Sequence, residues 1–240
     1  MKLIRKKKEI FFGIEIITCN RKKYRPIKEL VSETLRSVVE QRYPHWRVYL
    51  VGDHYEPEEE FRQYTKIIPR EKLVAYNLKG HTPEREIFKN PNHLARIGGN
   101  KAINFGLDLM ESTGIRYTAR LDDDDLWTPY HLEAFRDEFV KFPSPAFVCT
   151  MSNFKYTGIL PAFKPDEERR PRITTLACNV AASSVAWDMK RVPLRYRRNL
   201  IDIAWEGQYG DADMWTSIEQ HCHRHGYGMS ISPNVTVEVR

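Results

Sequence analysis

Arg120-Leu121-Asp122-Asp123-Asp124-Asp125-Leu126-Trp127 sets four consecutive carboxylates between an apolar run that ends at Leu121 and a helix start at Thr128-Pro129. Adjacent carboxylates repel one another in water and add nothing to a core. A cluster held between a strand and a helix therefore points to a bound cation, most simply a hard divalent metal that takes oxygen ligands. An acidic surface turn is the plainer explanation of an arbitrary Asp run. The bulky apolar residues on both sides weigh against it, because they put part of the run at the end of a buried strand.

Upstream of the run, residues 115–121 read as the strand that delivers it, and Ala102 to Met110 as the helix before that strand, closed by Gly114. Further back, the β-branched and aromatic stretch 10–17 is a buried first strand, followed by the polar turn Thr18-Cys19-Asn20-Arg21. Ile27, Val31, Leu35 and Val38 keep helical spacing after Pro26. Arg47 to Val51 is a second strand ending in Gly52-Asp53-His54. Strand, helix and strand in so short a span make a βαβ unit, which implies parallel strands and a ligand crevice at their carboxyl ends. A helix is expected over 57–68 and a third strand over 72–78, with a loop over 80–93.

Downstream, Thr128 suits a helix cap with Pro129 in the first turn, and Leu132, Phe135, Phe139 and Phe142 form the inward face. Strands are expected over 146–151 and 183–187, and residues 155–172, rich in Pro and charge, read as a mobile loop or lid. Gly210-Asp211-Ala212-Asp213-Met214-Trp215 opens a late helix, and one or two short strands follow over 227–239. The sheet is then parallel at its centre, with antiparallel additions.

The chain has 240 residues, 41% of them hydrophobic and 12% aromatic, which suits one globular domain with a sizeable core. No apolar run approaches the roughly 18 residues of a spanning helix, so a soluble, cytoplasmic protein is expected. Met1 to Lys8 is basic, but Glu15 interrupts the apolar run behind it, which argues against a signal peptide. Cys19, Cys149, Cys178 and Cys222 are scattered without a CxxC pair and read as reduced thiols. The net charge of +6 and pI near 9.1 suit a polyanionic partner: nucleic acid, an anionic membrane surface or a phosphorylated ligand.

Ile16-Ile17-Thr18-Cys19-Asn20-Arg21, the helix after it, and Val48-Tyr49-Leu50-Val51-Gly52-Asp53 together resemble the opening of the family 2 glycosyltransferases. Leu121 to Pro129 resembles their metal-binding DxD segment, and Asp211-Ala212-Asp213-Met214-Trp215 their late acidic motif. The resemblance runs from about residue 10 to about residue 230. It implies an α/β protein of the GT-A fold, a Rossmann-like mixed β-sheet flanked by helices in a single domain. It divides the chain into a basic N-terminal extension (1–9), a nucleotide-binding half (10–128) and an acceptor-binding half (129–240).

The activity implied is metal-dependent transfer, with inversion, of a sugar from a nucleoside diphosphate donor, UDP-sugar favoured, to an acceptor hydroxyl on a carbohydrate, glycan or lipid-linked molecule. Departure of the diphosphate builds negative charge that Mn²⁺ or Mg²⁺ would stabilise. Asp122 and Asp124 match the two Asp of DxD, with Asp124 as direct metal ligand and Asp122 as ribose or metal-water contact; Asp125 is a candidate brace for the turn. Asp211 matches the general base, while capping of its helix is the competing role and Asp213 the next candidate base. Thr18, Asn20, Arg21, Asp53, Arg96 and Asp123 are the donor-side candidates, and Lys101 lies nearby. Gly52 and Gly210 stand where the family often has acidic residues. Trp127, Trp205, Glu206 and Asp213 are candidates for the sugar or acceptor pocket, with core packing as the alternative for Trp127.

His221-Cys222-His223-Arg224-His225 invites a metal, yet on a helix only His221 and His225 share a face. Two other functions remain open on the sequence. A sugar nucleotidyltransferase uses a related sheet, but no Gly-rich phosphate loop follows the first strand. A glycan- or nucleic-acid-binding module with a structural cation would use Lys2 to Lys8 and Arg169-Arg170-Pro171-Arg172 as contacts, but leaves Asp211 unexplained. No nucleic-acid partner is therefore expected, and the basic N-terminus favours peripheral contact with an anionic surface.

Overall fold

In the computed structural model, which describes residues 9–20, 27–79, 99–141, 143–155, 158–160, 180–196 and 210–240, the β-branched run Phe12–Cys19 forms the first strand, β1. It is followed by β2 (Trp46–Asp53), β3 (Leu73–Leu78), β4 (Tyr117–Asp122), β5 (Leu126–Trp127), β6 (Phe147–Phe154), β7 (Gly158–Leu160), β8 (Val185–Asp188) and β9 (Met229–Val239). The described helices are α1 (Ile27–Val39), α2 (Glu59–Tyr64), α3 (Asn100–Ser112), α4 (His131–Phe139) and α5 (Gly210–His225). The strands form one sheet in the order β3-β2-β1-β4-β8-β6-β9-β5, with β7 on β6. The β3-β2-β1-β4 half is parallel; β8 then runs antiparallel to both β4 and β6, and β9 is parallel to β6. This is the mixed sheet expected from the sequence.

Alternation along β1 decides what each face of the sheet meets. Phe12, Ile14 and Ile16 are fully buried in one cluster with Val31, Leu35 and Val38 of α1 and Leu132, Phe135 and Phe139 of α4. On the other face, Ile103, Leu107 and Met110 of α3 join Met214, Trp215 and Ile218 of α5 around Phe147 and Trp187. Burial of one such side chain stabilises by about 1.5–3 kcal/mol, so the two helical layers hold the sheet from both sides. Gly13, on the α3 face, lets that helix approach closely: a Cβ there would lie 2.5 Å from the Met110 sulfur.

Several expectations are corrected. The helix expected over 57–68 is the short α2, followed by a 3-10 turn at Arg70–Lys72. Helix α4 starts at His131, without a side-chain cap, rather than at Thr128-Pro129. The Thr128 backbone is taken up elsewhere: its N–H donates to the Thr236 carbonyl at 2.9 Å and its carbonyl accepts from Gln41 at 2.7 Å. Of the one or two short strands expected at the C-terminal end, one forms, and it is longer than expected at 11 residues, with register shifts in its pairing to β6. Within the expected lid, Gly158–Leu160 pair with β6 as β7, while residues 161–172 lie outside the described residues, as do residues 1–8, Phe142 and Cys178. Cys19, Cys149 and Cys222 are buried free thiols. Among the described residues, no helix is long and apolar enough to cross a membrane.

Candidate active site

Strand β1 pairs with β2 on one side and β4 on the other, so the chain winds away from it in both directions. In an open α/β sheet the crevice lies at such a switch point, beyond the carboxyl ends of the strands. Three sequence-predicted segments end there: Thr18-Cys19-Asn20, Asp53 at the end of β2 and Asp122 at the end of β4. Thr18 and Cys19 are the last residues of β1 rather than a turn after it, with Cys19 in register with Asp53 and Ile17 in register with Asp122. Asp53 is buried, and Gly99, at the α3 N-terminus with φ +80°, sits beside it; a Cβ there would be 3.9 Å from the Asp53 carboxylate. The Thr18 hydroxyl is buried and hydrogen-bonded to the Tyr55 hydroxyl at 2.8 Å. Asn20 is half-buried.

The acidic run is a tight turn whose members alternate. Asp123 and Asp125 are buried, while Asp122 and Asp124 are partly exposed. Asp125 braces the turn: one carboxyl oxygen accepts from the Ser183 hydroxyl at 2.6 Å and the other from the Arg240 N–H at 3.3 Å. Burial pushes the Asp125 carboxyl up to about 8, with Asp122 adding and the Ser183 hydrogen bond opposing. Ser183 also accepts the Asp122 N–H at 2.9 Å, and its carbonyl accepts the Trp127 indole N–H at 2.7 Å. Trp127 is 3% exposed and stacks on His131 at 4.1 Å. It packs in the core, the alternative that the sequence left open beside the sugar pocket.

Asp211 lies in the first turn of α5, but its side chain is turned to the acidic run. The Tyr196 hydroxyl donates to it at 3.1 Å, and the Arg120 guanidinium is 3.4 Å from the same oxygen. The other arm of that guanidinium reaches Asp122 at 3.1 Å. Arg120, 8% exposed at its side chain, thus joins two carboxylates about ninety residues apart in the chain, and it also donates to the Tyr196 hydroxyl. Burial works against its charge, but Tyr196, Asp211, Asp122 and Glu15 more than offset that, so it stays cationic. Asp211 is recessed, 39% exposed at its side chain. Burial lifts its carboxyl above the ordinary aspartate range, Arg120 opposes this, Asp122 adds to it and the Tyr196 hydroxyl opposes it. Asn104 of α3 fixes Tyr196 in turn, exchanging two hydrogen bonds of 2.8 Å with its backbone. Asp213, two residues further along α5, is buried.

Among the described residues no three His, Cys, Asp or Glu side chains converge as a metal site. His221 bonds the Arg191 carbonyl at 2.8 Å and its ring lies 4.4 Å from that of His225. The partly exposed pair Asp122 and Asp124 nevertheless fits a hard divalent cation of the Mg²⁺ type, which takes one or two carboxylates and completes its shell with water and phosphate oxygens. Arg21, Arg96, Trp205 and Glu206 lie outside the described residues. Lys101 is exposed on α3. Arg120, Tyr196, Ser183 and Asn104 were not singled out from the sequence. Only Arg120 carried a signal, as the one cation abutting four carboxylates.

The family model for glycosyl transferase family 2 matches residues 14–176. An uncharacterised glycosyltransferase of Acanthamoeba polyphaga mimivirus is 33% identical over 219 residues, 88% of this chain and 86% of the relative. The crystal structure of S. aureus TarS 1–349 is similar with a TM-score of 0.58 at 16% identity, over 96% of this chain and 60% of that one. The same TarS fragment in complex with UDP gives 0.55 at 14% identity, again over 96% and 60%. The chain therefore spans three-fifths of the TarS fragment, and the likeness carries the fold, GT-A. On the family match and the viral relative, the chain is a glycosyltransferase enzyme and belongs to glycosyl transferase family 2.

Proposed function

We propose that this enzyme is a metal-dependent inverting glycosyltransferase that moves a sugar from a nucleoside diphosphate donor, a UDP-sugar by preference, to an acceptor hydroxyl on a carbohydrate, glycan or lipid-linked molecule. The observation that carries the proposal is the Arg120 fork, which ties Asp122 at the end of β4 to Asp211 in the first turn of α5. Donor chemistry and proton chemistry then share one crevice. The UDP complex of TarS supports a uridine nucleotide. Asp124, with Asp122, would hold Mn²⁺ or Mg²⁺; bound there, the ion supplies Lewis-acid stabilisation of the leaving diphosphate. Asp53, Asn20 and Asp123, with Arg21 and Arg96, form the donor side, and Thr18 contributes through its backbone. Trp205, Glu206 and Asp213 are assigned to the acceptor side, in keeping with a donor half over 10–128 and an acceptor half over 129–240.

In the transfer step the acceptor oxygen attacks the anomeric carbon as the bond to the diphosphate breaks on the opposite face. Asp211 takes the acceptor's proton. A base works best when its pKa lies towards the working pH, and burial raises Asp211 in that direction. Arg120 limits the rise, so that the carboxyl is ionised before it acts. A nucleotidyltransferase or a non-catalytic module has no use for this arrangement, and family membership displaces both.

The direct test is nucleoside diphosphate release from UDP-glucose, UDP-galactose, UDP-N-acetylglucosamine and GDP-mannose, with and without Mn²⁺. At least one UDP-sugar is expected to turn over only with the metal, and Asp124→Ala should lose both turnover and Mn²⁺-dependent nucleotide affinity. Turnover that persists in EDTA would remove the metal role.

A further inference from the structure

Glu15 stands on β1 in register with Tyr49 of β2 and with Arg120 of β4. It is 0% exposed, and neither carboxyl oxygen has a hydrogen-bond partner among the described residues. An unpartnered buried carboxyl is costly, and an apolar residue would serve this strand better. The neighbouring helix makes room for it. A Cβ at Gly106 of α3 would lie 2.7 Å from the Glu15 Oε1, with Cγ and Cδ at 3.5 Å. The facing helix thus leaves open the space that the end of the Glu15 side chain occupies. The groups whose charge it feels are Arg120, Arg195, Asp122 and Asp211: burial lifts it to about 8, the two arginines oppose this and the two aspartates add to it. Tyr49, its partner in register, bonds instead to the Thr113 hydroxyl at 2.6 Å, and Tyr196 is turned to Arg120 and Asp211.

Arg120 meanwhile gives its fork to Asp122 and Asp211, and also donates to the Tyr196 hydroxyl. If Asp122 engages a donor, the buried guanidinium loses one of its two carboxylate partners, and leaving such a charge short of a counter-charge is strongly unfavourable. We propose that Glu15 is a positioning residue for donor binding: it is the buried reserve partner to which Arg120 turns when Asp122 engages the nucleoside diphosphate, so that Arg120 stays anchored against Asp211. The inference rests on the place proposed above for Asp122 at the metal–diphosphate site. It accounts for why the carboxyl is retained without a hydrogen-bond partner among the described residues and why α3 carries no side chain at 106.

The test is calorimetric titration of the full chain with UDP in the presence of Mn²⁺, together with thermal melts, for Glu15→Gln, Glu15→Leu, Asp122→Asn and the Glu15→Gln/Asp122→Asn double variant. Both Glu15 variants are expected to weaken UDP binding by about tenfold, the scale of one charge-assisted hydrogen bond, while Glu15→Leu melts no lower than the native chain. In the Asp122→Asn background, Glu15→Gln should cost nothing further, because there is no carboxylate left to release. Native affinity in both Glu15 variants overturns the proposal, as does an equal loss in both backgrounds, or a fall in melting temperature that accounts for the lost binding. Native affinity in Asp122→Asn would instead show that the donor role of Asp122 is at fault, and the two failures are told apart by that variant alone.

Discussion

Arg120 sets one positive charge among Asp122, Asp211 and Glu15, and for Asp211 it works against the larger effect of burial. Burial raises the Asp211 carboxyl and Arg120 lowers it. In the proposed role of general base Asp211 acts when ionised, so activity should fall on acidification at a pH above that of an ordinary aspartate. Replacing Arg120 by Gln removes the lowering influence, the carboxyl holds its proton to higher pH, and the acid limb of the kcat profile should move up by on the order of one pH unit. A limb that stayed in place, or moved down, would show that Arg120 does not act on the base. In the sequence, Arg120 was visible as a cation beside an acidic run; Tyr196 was not, since it sits in an irregular stretch with no periodicity to mark it. Trp127 was legible as a large aromatic but not as core, because the choice between a sugar platform and packing depends on Ser183 and His131, which are distant or featureless in the chain.

Among the elements, those with a clear period were legible: β1, α1, β2, α3, β4 and α5 all form where apolar spacing placed them, within a few residues. The misplacements have a common origin in tertiary contacts. Thr128 looks like a helix cap, but β9 claims its backbone, and α4 starts later. The β1–α3 contact shows the same principle at a single position. Gly106 is inside a helix, where Ala is favoured over Gly by roughly 0.8–1 kcal/mol, yet a Cβ would press on Glu15 from 2.7 Å. Gly106→Ala should therefore destabilise the native chain by about 1–3 kcal/mol and become neutral or stabilising when Glu15 is replaced by Ala. Urea denaturation of the four chains reads this reversal of sign. The same sign in both backgrounds would mean that α3 is held off β1 by something other than the carboxyl.

At the scale of the whole molecule, the strand order around β1 creates the crevice, and that much followed from the βαβ pattern and the position of the Asp run. The meeting of Asp122 with Asp211 could not be read from the residues alone, because it depends on β8 inserting antiparallel beside β4 and on α5 packing across the opposite face from α1. The resemblance to the family supplied the pairing, and the Arg120 bridge gives it a physical form. What remains to be measured is whether that bridge joins donor and base in one reaction. Asp211→Asn keeps the shape of the side chain and its place beside Tyr196 and Arg120 but removes its capacity to take a proton. With the donor identified from the nucleotide-sugar panel, kcat is expected to fall by about a hundred- to ten-thousand-fold, while affinity for UDP with Mn²⁺ stays within about twofold of native. Turnover close to native in Asp211→Asn would contradict the assignment of the base and with it the link between Asp211 and the donor site.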